Sequence, residues 1–303
     1  MSLFIIETLK YVEDNSSRHS VSTHRNYIAA VHSLQRFAQD MHCVHRNMDA
    51  ETIRQYEQWL HEHGICRNTS SCYLRSLRSL YNQQHTDNTD SIFAKVFTGN
   101  ARTEKRALPA NFIRQLRQNA PSLLSPLRLW YDVFMFSLMA YGMPFVDVAH
   151  LRRDDIYDGM IHYRRHKTGQ LITVPLTEEM AEIIAYYTSH DASETKRQHL
   201  HDPSLVFPIL PNAACSYDAY SHQLSLYNKA LKLLTQRCGL SRHITSYVAR
   251  HTWASLASES GVNLQQISQA MGHTSIRTTQ IYLSQLPSSS MQAVSNAVSR
   301  LLK

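Results

Sequence analysis

The chain has 303 residues, of which 43% are hydrophobic and 18% are charged. This balance is typical of globular rather than disordered proteins, and the length favours two domains. No run approaches the roughly 20 apolar residues of a membrane span, and the first residues lack the features of a signal peptide. With only 8 Gly and 9 Pro, the sequence predicts a mostly helical protein that is soluble and cytoplasmic and has no membrane partner.

Cysteine and histidine form no recognisable disulfide or metal pattern. The five cysteines are widely spaced, without a C-x-x-C pair, which predicts reduced thiols. The histidine pairs at 61 and 63 and at 199 and 201 lack further ligands at zinc-site spacing. We therefore predict no metal site.

Basic residues are concentrated in the second part of the chain. Residues 1–104 hold eleven Lys or Arg and eleven Asp or Glu, whereas residues 105–303 hold twenty and thirteen. A basic excess of this kind favours a polyanionic partner, with nucleic acid as the first candidate. From composition alone, a merely soluble basic surface is the alternative.

Apolar spacing in the first part predicts helices over 22–38, over 49–63 and from 68 to about 81. On the third helix, short polar residues share one face around an arginine, which suits the groove of DNA. We predict DNA contacts by Asn68, Ser71, Arg75 and Ser79. An ordinary solvated helix surface is the alternative.

A polar stretch near 97–107 predicts an interdomain linker. Lys105 and Arg106 within it are predicted to follow a phosphate backbone, with a plain solvated connector as the alternative. Alternation over 161–164 and 171–175 around a Thr-Gly turn predicts a β-hairpin. Periodicity predicts further helices over 109–118, 124–141, 177–190, 218–238, 246–260, 264–271 and 289–302.

Two segments near the end of the chain carry the strongest functional signal. Residues 244–255 are Ile-Thr-Ser-Tyr-Val-Ala-Arg-His-Thr-Trp-Ala-Ser, and residues 270–282 are Ala-Met-Gly-His-Thr-Ser-Ile-Arg-Thr-Thr-Gln-Ile-Tyr. Together they resemble the C-terminal signature of tyrosine recombinases, the phage integrase family. Residue by residue, the resemblance places Arg250 at the second catalytic arginine, His273 at the last histidine and Tyr282 at the nucleophile.

The resemblance extends over nearly the whole chain. His-Lys-Thr-Gly at 166–169 looks like the hairpin segment that carries the family's catalytic lysine, here Lys167. The resemblance implies a mainly α fold that closes on DNA as a C-shaped clamp. Its parts are a helical, SAM-like core-binding domain over 1–104 and an α-rich catalytic domain with a small β-hairpin over 105–303.

The chemistry that the resemblance implies needs these residue types. A guanidinium such as that of Arg250 can clamp two non-bridging phosphate oxygens, and His273 would hydrogen-bond the phosphate. The Tyr282 phenol can hold the broken DNA end as a 3′-phosphotyrosine. Lys167 can protonate the departing 5′ oxygen. The family needs no metal and no cofactor for this reaction.

Two positions depart from the family pattern. Tyr247 stands where the first histidine of the His-x-x-Arg box is expected. Its phenol can still donate a hydrogen bond to the phosphate, so we predict it as a catalytic residue, although a phenol with a reference pKa of about 10 is a poor acid or base near neutral pH. Pro144 occupies the position of the first catalytic arginine. In a branch that contains DNA inversion recombinases and some conjugative-element integrases, that arginine often lies earlier, in an Arg-Gly-Met run. Here this position is Tyr141. The cations near it in sequence that could replace the arginine are Arg128, Arg152 and Arg153.

The sequence therefore predicts a site-specific tyrosine recombinase that integrates, excises or inverts DNA. Its predicted partner is double-stranded DNA, bound by a homo-tetramer at two sites. The 289–302 helix is predicted to dock on a neighbouring subunit, with docking on its own domain as the alternative. The missing arginine motivates a second hypothesis, a catalytically weakened DNA-binding protein on the same scaffold.

Overall fold

The structure is a computed structural model that describes residues 2–42, 48–85, 92–101, 107–189, 202–239 and 244–283. It divides the chain into two compact units, residues 1–104 and residues 105–303. Lys105 and Arg106 of the predicted linker, and the predicted 289–302 helix, lie outside the described residues.

The first unit is built from four helices in its described part: α1 (Ser2–Asp14), α2 (Val21–Asp40), α3 (Ala50–Glu62) and α4 (Arg67–Gln84). The side chains of Ser20 and Asp49 cap α2 and α3 by accepting backbone N–H bonds, which satisfies donors that a helix start leaves open. The apolar faces of the helices meet in one core, with fully buried Leu34, Phe37, Tyr56, Leu60 and Leu77.

Helices α2 to α4 confirm the three predicted in this part to within three residues, whereas α1 was not predicted. Its apolar residues at 3–6 are consecutive rather than periodic, and two of them, Leu3 and Ile6, are more than 60% exposed. Its buried face is formed by Ile5, Thr8 and Val12, and the exposed apolar residues beside them obscure this period in the sequence.

The second unit contains the remaining elements. They are α5 (Ala110–Gln118), α6 (Arg128–Met139), α7 (Phe145–Ala149), β1 (Ile156–Tyr157), β2 (Met160–Arg164), β3 (Leu171–Pro175), α8 (Glu178–Thr188), α9 (Tyr217–Arg237), α10 (Val248–Glu259), α11 (Leu264–Ala270) and α12 (Ile276–Leu283). The core surrounds α6, whose residues 130–138 are all buried. Helix α6 is therefore buried on every side and mostly apolar, as is typical of a central helix.

The three strands form an antiparallel sheet in the order β1-β2-β3. Arg164 lies opposite Leu171 and Met160 opposite Pro175, which confirms the predicted hairpin. Strand β1, helix α7 and helix α12 were not predicted; the first two have only two and five residues, too few to show a period. Within the described ranges, no helix has the length and apolarity needed to span a membrane.

Candidate active site

Arg250 lies in the first turn of α10 with only 1% of its surface exposed. Its Nη1 donates to the Gly142 carbonyl at 3.1 Å and its Nη2 to the Met271 carbonyl at 2.5 Å. Nη2 also lies 3.0 Å from Nε2 of His273. The guanidinium thus joins the segment after α6 to the segment after α11, although the two are far apart in sequence.

Gly142 makes this close approach possible. A Cβ atom at this position would lie 2.5 Å from the Arg250 Cα, and the φ of +67° is in the left-handed region. Real atoms do not approach a backbone carbon so closely, so only glycine fits beside Arg250. Gly142 is therefore required for the backbone of Arg250 to pack at this position.

His273 is held in one protonation state by its neighbours. Arginine only donates hydrogen bonds, so Nε2 of His273 accepts from Arg250, and Nδ1 donates to Oγ1 of Thr279 at 2.8 Å. Burial, followed by the charges of Arg250, Arg165 and Lys167, lowers the pKa of His273 to about 4. The ring is therefore neutral near pH 7.

Thr279 links this cluster to the segment of the predicted nucleophile. Its side chain is fully buried within α12, where it accepts the His273 hydrogen bond. Tyr282 follows three residues later, close to one turn further along the same helix. The backbone of Tyr282 is described, but its side chain lies outside the described part of the structure.

Lys167 lies in the turn between β2 and β3, and its side chain is exposed. The backbone N–H of Arg165 donates to Gln170 at 2.9 Å, and that of Gly169 donates to Arg165 at 2.8 Å, which closes the turn. The buried carboxylate of Asp147 accepts from the backbone N–H of His166 at 2.9 Å. An exposed lysine thus stands on a turn with a fixed base, near enough to His273 to lower its pKa.

Arg165 is a charged residue of this cluster that the sequence analysis missed. Its side chain is 6% exposed, and its Nη1 donates to the carbonyls of Met271 and Gly272, both at 3.0 Å. Its Nε lies 3.7 Å from the Asp147 carboxylate. The strand period contained the signal, because Ile161, Tyr163 and Arg165 alternate with exposed or half-buried residues on β2 and the turn.

The cations named as replacements for the missing arginine lie elsewhere. Nε of Arg128 donates to Asp132 at 2.7 Å, and the same carboxylate accepts from Tyr187, so Arg128 belongs to a structural cluster. Arg152 and Arg153 are exposed beside a short 3-10 turn. The charges that lower the pKa of His273 are those of Arg250, Arg165 and Lys167, and none of the three candidate replacements is among them.

Tyr141 and Pro144, the residues at the two positions where relatives carry the first catalytic arginine, both pack against neighbouring residues. The Tyr141 ring lies 5.0 Å from that of Trp253, on a backbone with φ of +57°. Pro144 precedes the first residue of α7, where its fixed φ suits a helix start. Tyr247 directly precedes α10, is 45% exposed and packs its ring 5.4 Å from that of His251. Its role at the phosphate stays a prediction.

The polar face of α4 makes hydrogen bonds within its own unit. The Asn68 side chain donates to the Ala101 carbonyl and accepts from the Ala101 N–H, at 3.2 and 2.7 Å. The Ser71 hydroxyl is fully buried and donates to Gly99 at 2.5 Å. A buried hydroxyl cannot contact DNA, so the prediction for Ser71 is wrong.

The two remaining residues of that face also have partners inside the unit. Arg75 is exposed and donates to the Asn100 side chain at 3.2 Å. Ser79 shares a hydrogen bond of 2.9 Å with the Tyr27 hydroxyl. Of the four predicted residues on α4, only Arg75 combines a charge with exposure. Among the described residues, no group of three or more Asp, Glu, His or Cys side chains is arranged to hold a metal.

Comparison with known proteins agrees with these features. The profile of the phage integrase family matches residues 106–288, and that of the phage integrase SAM-like domain matches residues 4–87. Tyrosine recombinase XerD of Halalkalibacterium halodurans is 24% identical over 244 residues, which are 78% of this chain and 77% of XerD.

Solved structures give the same result for the fold. XerH site-specific recombinase bound to its difH substrate aligns with a TM-score of 0.67 at 15% identity, over 96% of this chain and 84% of XerH. A lambda integrase tetramer bound to a Holliday junction aligns at 0.61 and 16% identity, over 90% of this chain and 75% of the integrase. These alignments confirm the predicted fold class, a mainly α protein with a SAM-like first part and a small sheet.

Proposed function

Because the chain belongs to the phage integrase family, we propose that it cuts and rejoins DNA at specific sites through a 3′-phosphotyrosyl intermediate. One observation carries this proposal: a continuous hydrogen-bond path runs from Arg250 through His273 to Thr279, on the helix that also contains Tyr282. Such a path holds the phosphate-binding groups and the nucleophile helix together as one unit.

In the proposed reaction, the Tyr282 oxygen attacks the scissile phosphorus and the bond to the 5′ oxygen breaks. Lys167 gives its proton to the departing oxygen, and the charge that builds on the non-bridging oxygens is stabilised by Arg250. The phenol proton passes to water, and neutral His273, whose Nε2 accepts from Arg250, keeps that guanidinium oriented toward the phosphate. The phosphotyrosine keeps the energy of the phosphodiester, so the reverse attack by a 5′ hydroxyl rejoins the strand.

We assign the two units to the two tasks of such an enzyme. Residues 105–303 form the catalytic domain, and residues 1–104 form the core-binding domain on DNA. The concentration of positive charge in the second unit suits a partner with a phosphate backbone. We further propose a homo-tetramer on two DNA sites, the state in which lambda integrase was solved on a Holliday junction.

Covalent trapping tests the proposal. A binding site is first selected from a pool of randomised duplexes, and suicide substrates nicked near its centre are then incubated with the chain. We expect a denaturation-resistant protein–DNA adduct with the unaltered chain and none with Tyr282→Phe, at similar DNA affinity, because only the reacting hydroxyl is removed. The matched control is Tyr157→Phe, which alters a tyrosine on β1 that stacks on His162 and should keep the adduct.

The outcome separates the two hypotheses. Specific binding without any adduct would favour the catalytically weakened DNA-binding protein and contradict the recombinase. An adduct that persists in Tyr282→Phe would remove Tyr282 from the reaction while leaving the enzyme class intact.

The role of Lys167 needs its own substrate. Replacing the leaving 5′ oxygen by sulfur creates a good leaving group that needs no proton. We therefore expect the 5′-thiol substrate to restore cleavage in Lys167→Ala but not in Arg250→Ala, which should lose at least about 10²-fold on either substrate. Rescue of both variants, or of neither, would contradict the assignment of Lys167 as the proton donor.

A further inference from the structure

The missing first arginine leaves a gap in the chemistry that one guanidinium does not fill. An in-line attack on a phosphodiester builds charge on two non-bridging oxygens, and Arg250 has two of its nitrogens engaged with carbonyls and His273. Tyr141 and Pro144, at the positions where relatives carry the arginine, bring no charge. If the proposed reaction takes place, another cation is expected at the same phosphate.

Arg165 is placed as that cation would have to be. Its Nη1 and the Nη2 of Arg250 donate to the same oxygen, the carbonyl of Met271, at 3.0 and 2.5 Å. Two guanidinium groups therefore meet at one atom of the segment that leads into His273. Arg128, Arg152 and Arg153 do not share this position.

The Arg165 side chain is held by residues of two segments, helix α7 and the turn that follows α11. Asp147, on α7, faces its Nε, while the carbonyls of Met271 and Gly272 hold its Nη1. A Cβ atom on Gly272 would lie 2.7 Å from the Arg165 Cδ, so the glycine of the Met-Gly-His run makes room for this side chain. Among the described residues, Nη1 of Arg165 donates to two carbonyls, and Nη2 has no hydrogen-bond partner.

Burying a guanidinium against carbonyls is costly, and core packing does not require it. An apolar side chain of similar volume at this position would continue the buried row of Ile161 and Tyr163 with less desolvation. The charge is also felt at the site, because Arg165 is among the groups that lower the pKa of His273. The buried charge of Arg165 lowers stability and acts electrostatically on His273. Both properties are expected of a residue that binds an anion.

We propose that Arg165 replaces the missing arginine and stabilises the charge on the scissile phosphate together with Arg250. This inference rests on the proposed function and names a residue that the family pattern does not assign. The donors on Nη2 would bind a non-bridging oxygen, while Nη1 and Nε keep the group oriented. Arg165 would then be a catalytic residue rather than a part of the hairpin's packing.

The test compares two substrates that differ in charge. In a methylphosphonate, a methyl group replaces one non-bridging oxygen, so less negative charge builds up during attack and a second guanidinium is needed less. On the ordinary phosphodiester we expect Arg165→Ala to lose about 10²–10³-fold in the rate of adduct formation. On the methylphosphonate we expect a loss of less than about tenfold.

The ratio of the two rates is the decisive quantity, because it does not depend on how much of the variant is folded. Arg165→Lys serves as a second variant that keeps the charge and loses the fork of donors; we expect an intermediate ratio. Arg153→Ala, which removes an exposed arginine of the same unit, should keep the ratio of the unaltered chain.

Two results would overturn the inference. Equal loss on both substrates would mean that Arg165 only positions the segment before His273, and no loss on the phosphodiester would mean that it has no role. Failure of the proposed function is distinguishable, because the unaltered chain would then form no adduct on the phosphodiester at all.

Discussion

Two polar clusters, one in each unit, differ in the kind of group that they bury. On α4, Asn68 binds the backbone of Ala101, and Ser71 binds that of Gly99. Both side chains are neutral, and only the Ser71 hydroxyl is fully buried. Around Met271, two guanidinium groups are almost fully buried against carbonyl oxygens.

The difference lies in what each cluster does for stability. The α4 cluster satisfies the backbone of an irregular segment, so its hydrogen bonds have a purely structural reason. Burying two guanidinium groups costs free energy that apolar packing would not cost. Polar residues at helical spacing are therefore a weak sign of function, whereas buried charges gathered around a histidine are a strong one.

Substitution of Gly142, which packs against the backbone of Arg250, gives the largest expected effect. In Gly142→Ala, the new Cβ would meet the Arg250 Cα at 2.5 Å, and backbone cannot move aside as a flexible side chain can. With the strain of a positive φ and overpacking, we expect a loss of about 3 kcal/mol in the free energy of unfolding. Adduct formation should fall below detection, because Arg250 is displaced. Denaturant unfolding and covalent trapping measure the two effects.

Gly261→Ala is the matched control for that change. Gly261 follows α10, the helix of Arg250, and also has a positive φ, +86°, but no atom lies within 4 Å of its Cβ position. It should lose only about 1–2 kcal/mol from backbone strain and still form the adduct. If both variants behave alike, the close approach to Arg250 does not constrain the site, and the contrast between the two clusters weakens.

The sequence predicted most of the fold because its long elements are periodic or alternating. It also located Arg250, His273 and the Tyr282 helix region, since these residues fall in a run whose spacing resembles that of a known family. It missed Arg165 because a charge at a buried strand position contradicts the apolar pattern. The prediction for Ser71 was wrong because the segment near Gly99 that covers it is irregular. Such a segment has no hydrophobic periodicity from which its packing against α4 could be predicted.

A substitution in the α4 cluster is expected to lower stability by a smaller amount and to leave DNA affinity almost unchanged. Asn68→Ala removes two hydrogen bonds to Ala101, so we expect a loss of about 1–2 kcal/mol in the free energy of unfolding. DNA affinity, measured by fluorescence anisotropy on the selected site, should change less than about threefold, because the side chain serves the fold. The control is Gln39→Ala, an exposed amide position on α2 of the same unit, with an expected change within about 0.5 kcal/mol.

A larger change in DNA affinity than in stability would contradict this view of Asn68. It would mean that the α4 face reads DNA after all, and that its bonds to Ala101 are exchanged for bonds to the duplex. The comparison between the two clusters would then describe two binding sites rather than one site and one structural contact.

The last expected effect concerns the pH dependence of stability that His273 contributes. The folded chain holds the pKa of this ring at about 4, whereas an exposed histidine in the unfolded chain has a pKa of about 6.5. Between these values the unfolded state binds the proton and the folded state does not, so stability falls as the pH falls from about 6.5 to about 4. Above about pH 6.5 this contribution is fully present.

His273→Gln separates this effect from the other histidines, which titrate in both proteins. The amide oxygen of glutamine can accept from Arg250 and its nitrogen can donate to Thr279, but the side chain does not take up a proton. We therefore expect the thermal unfolding midpoint to drop less between pH 7 and pH 5 in the variant than in the unaltered chain. Equal drops would mean that His273 titrates as an exposed ring does. Nε2 would then not be the acceptor of the Arg250 hydrogen bond, and the buried charges around Met271 would lose their link to the helix of Tyr282.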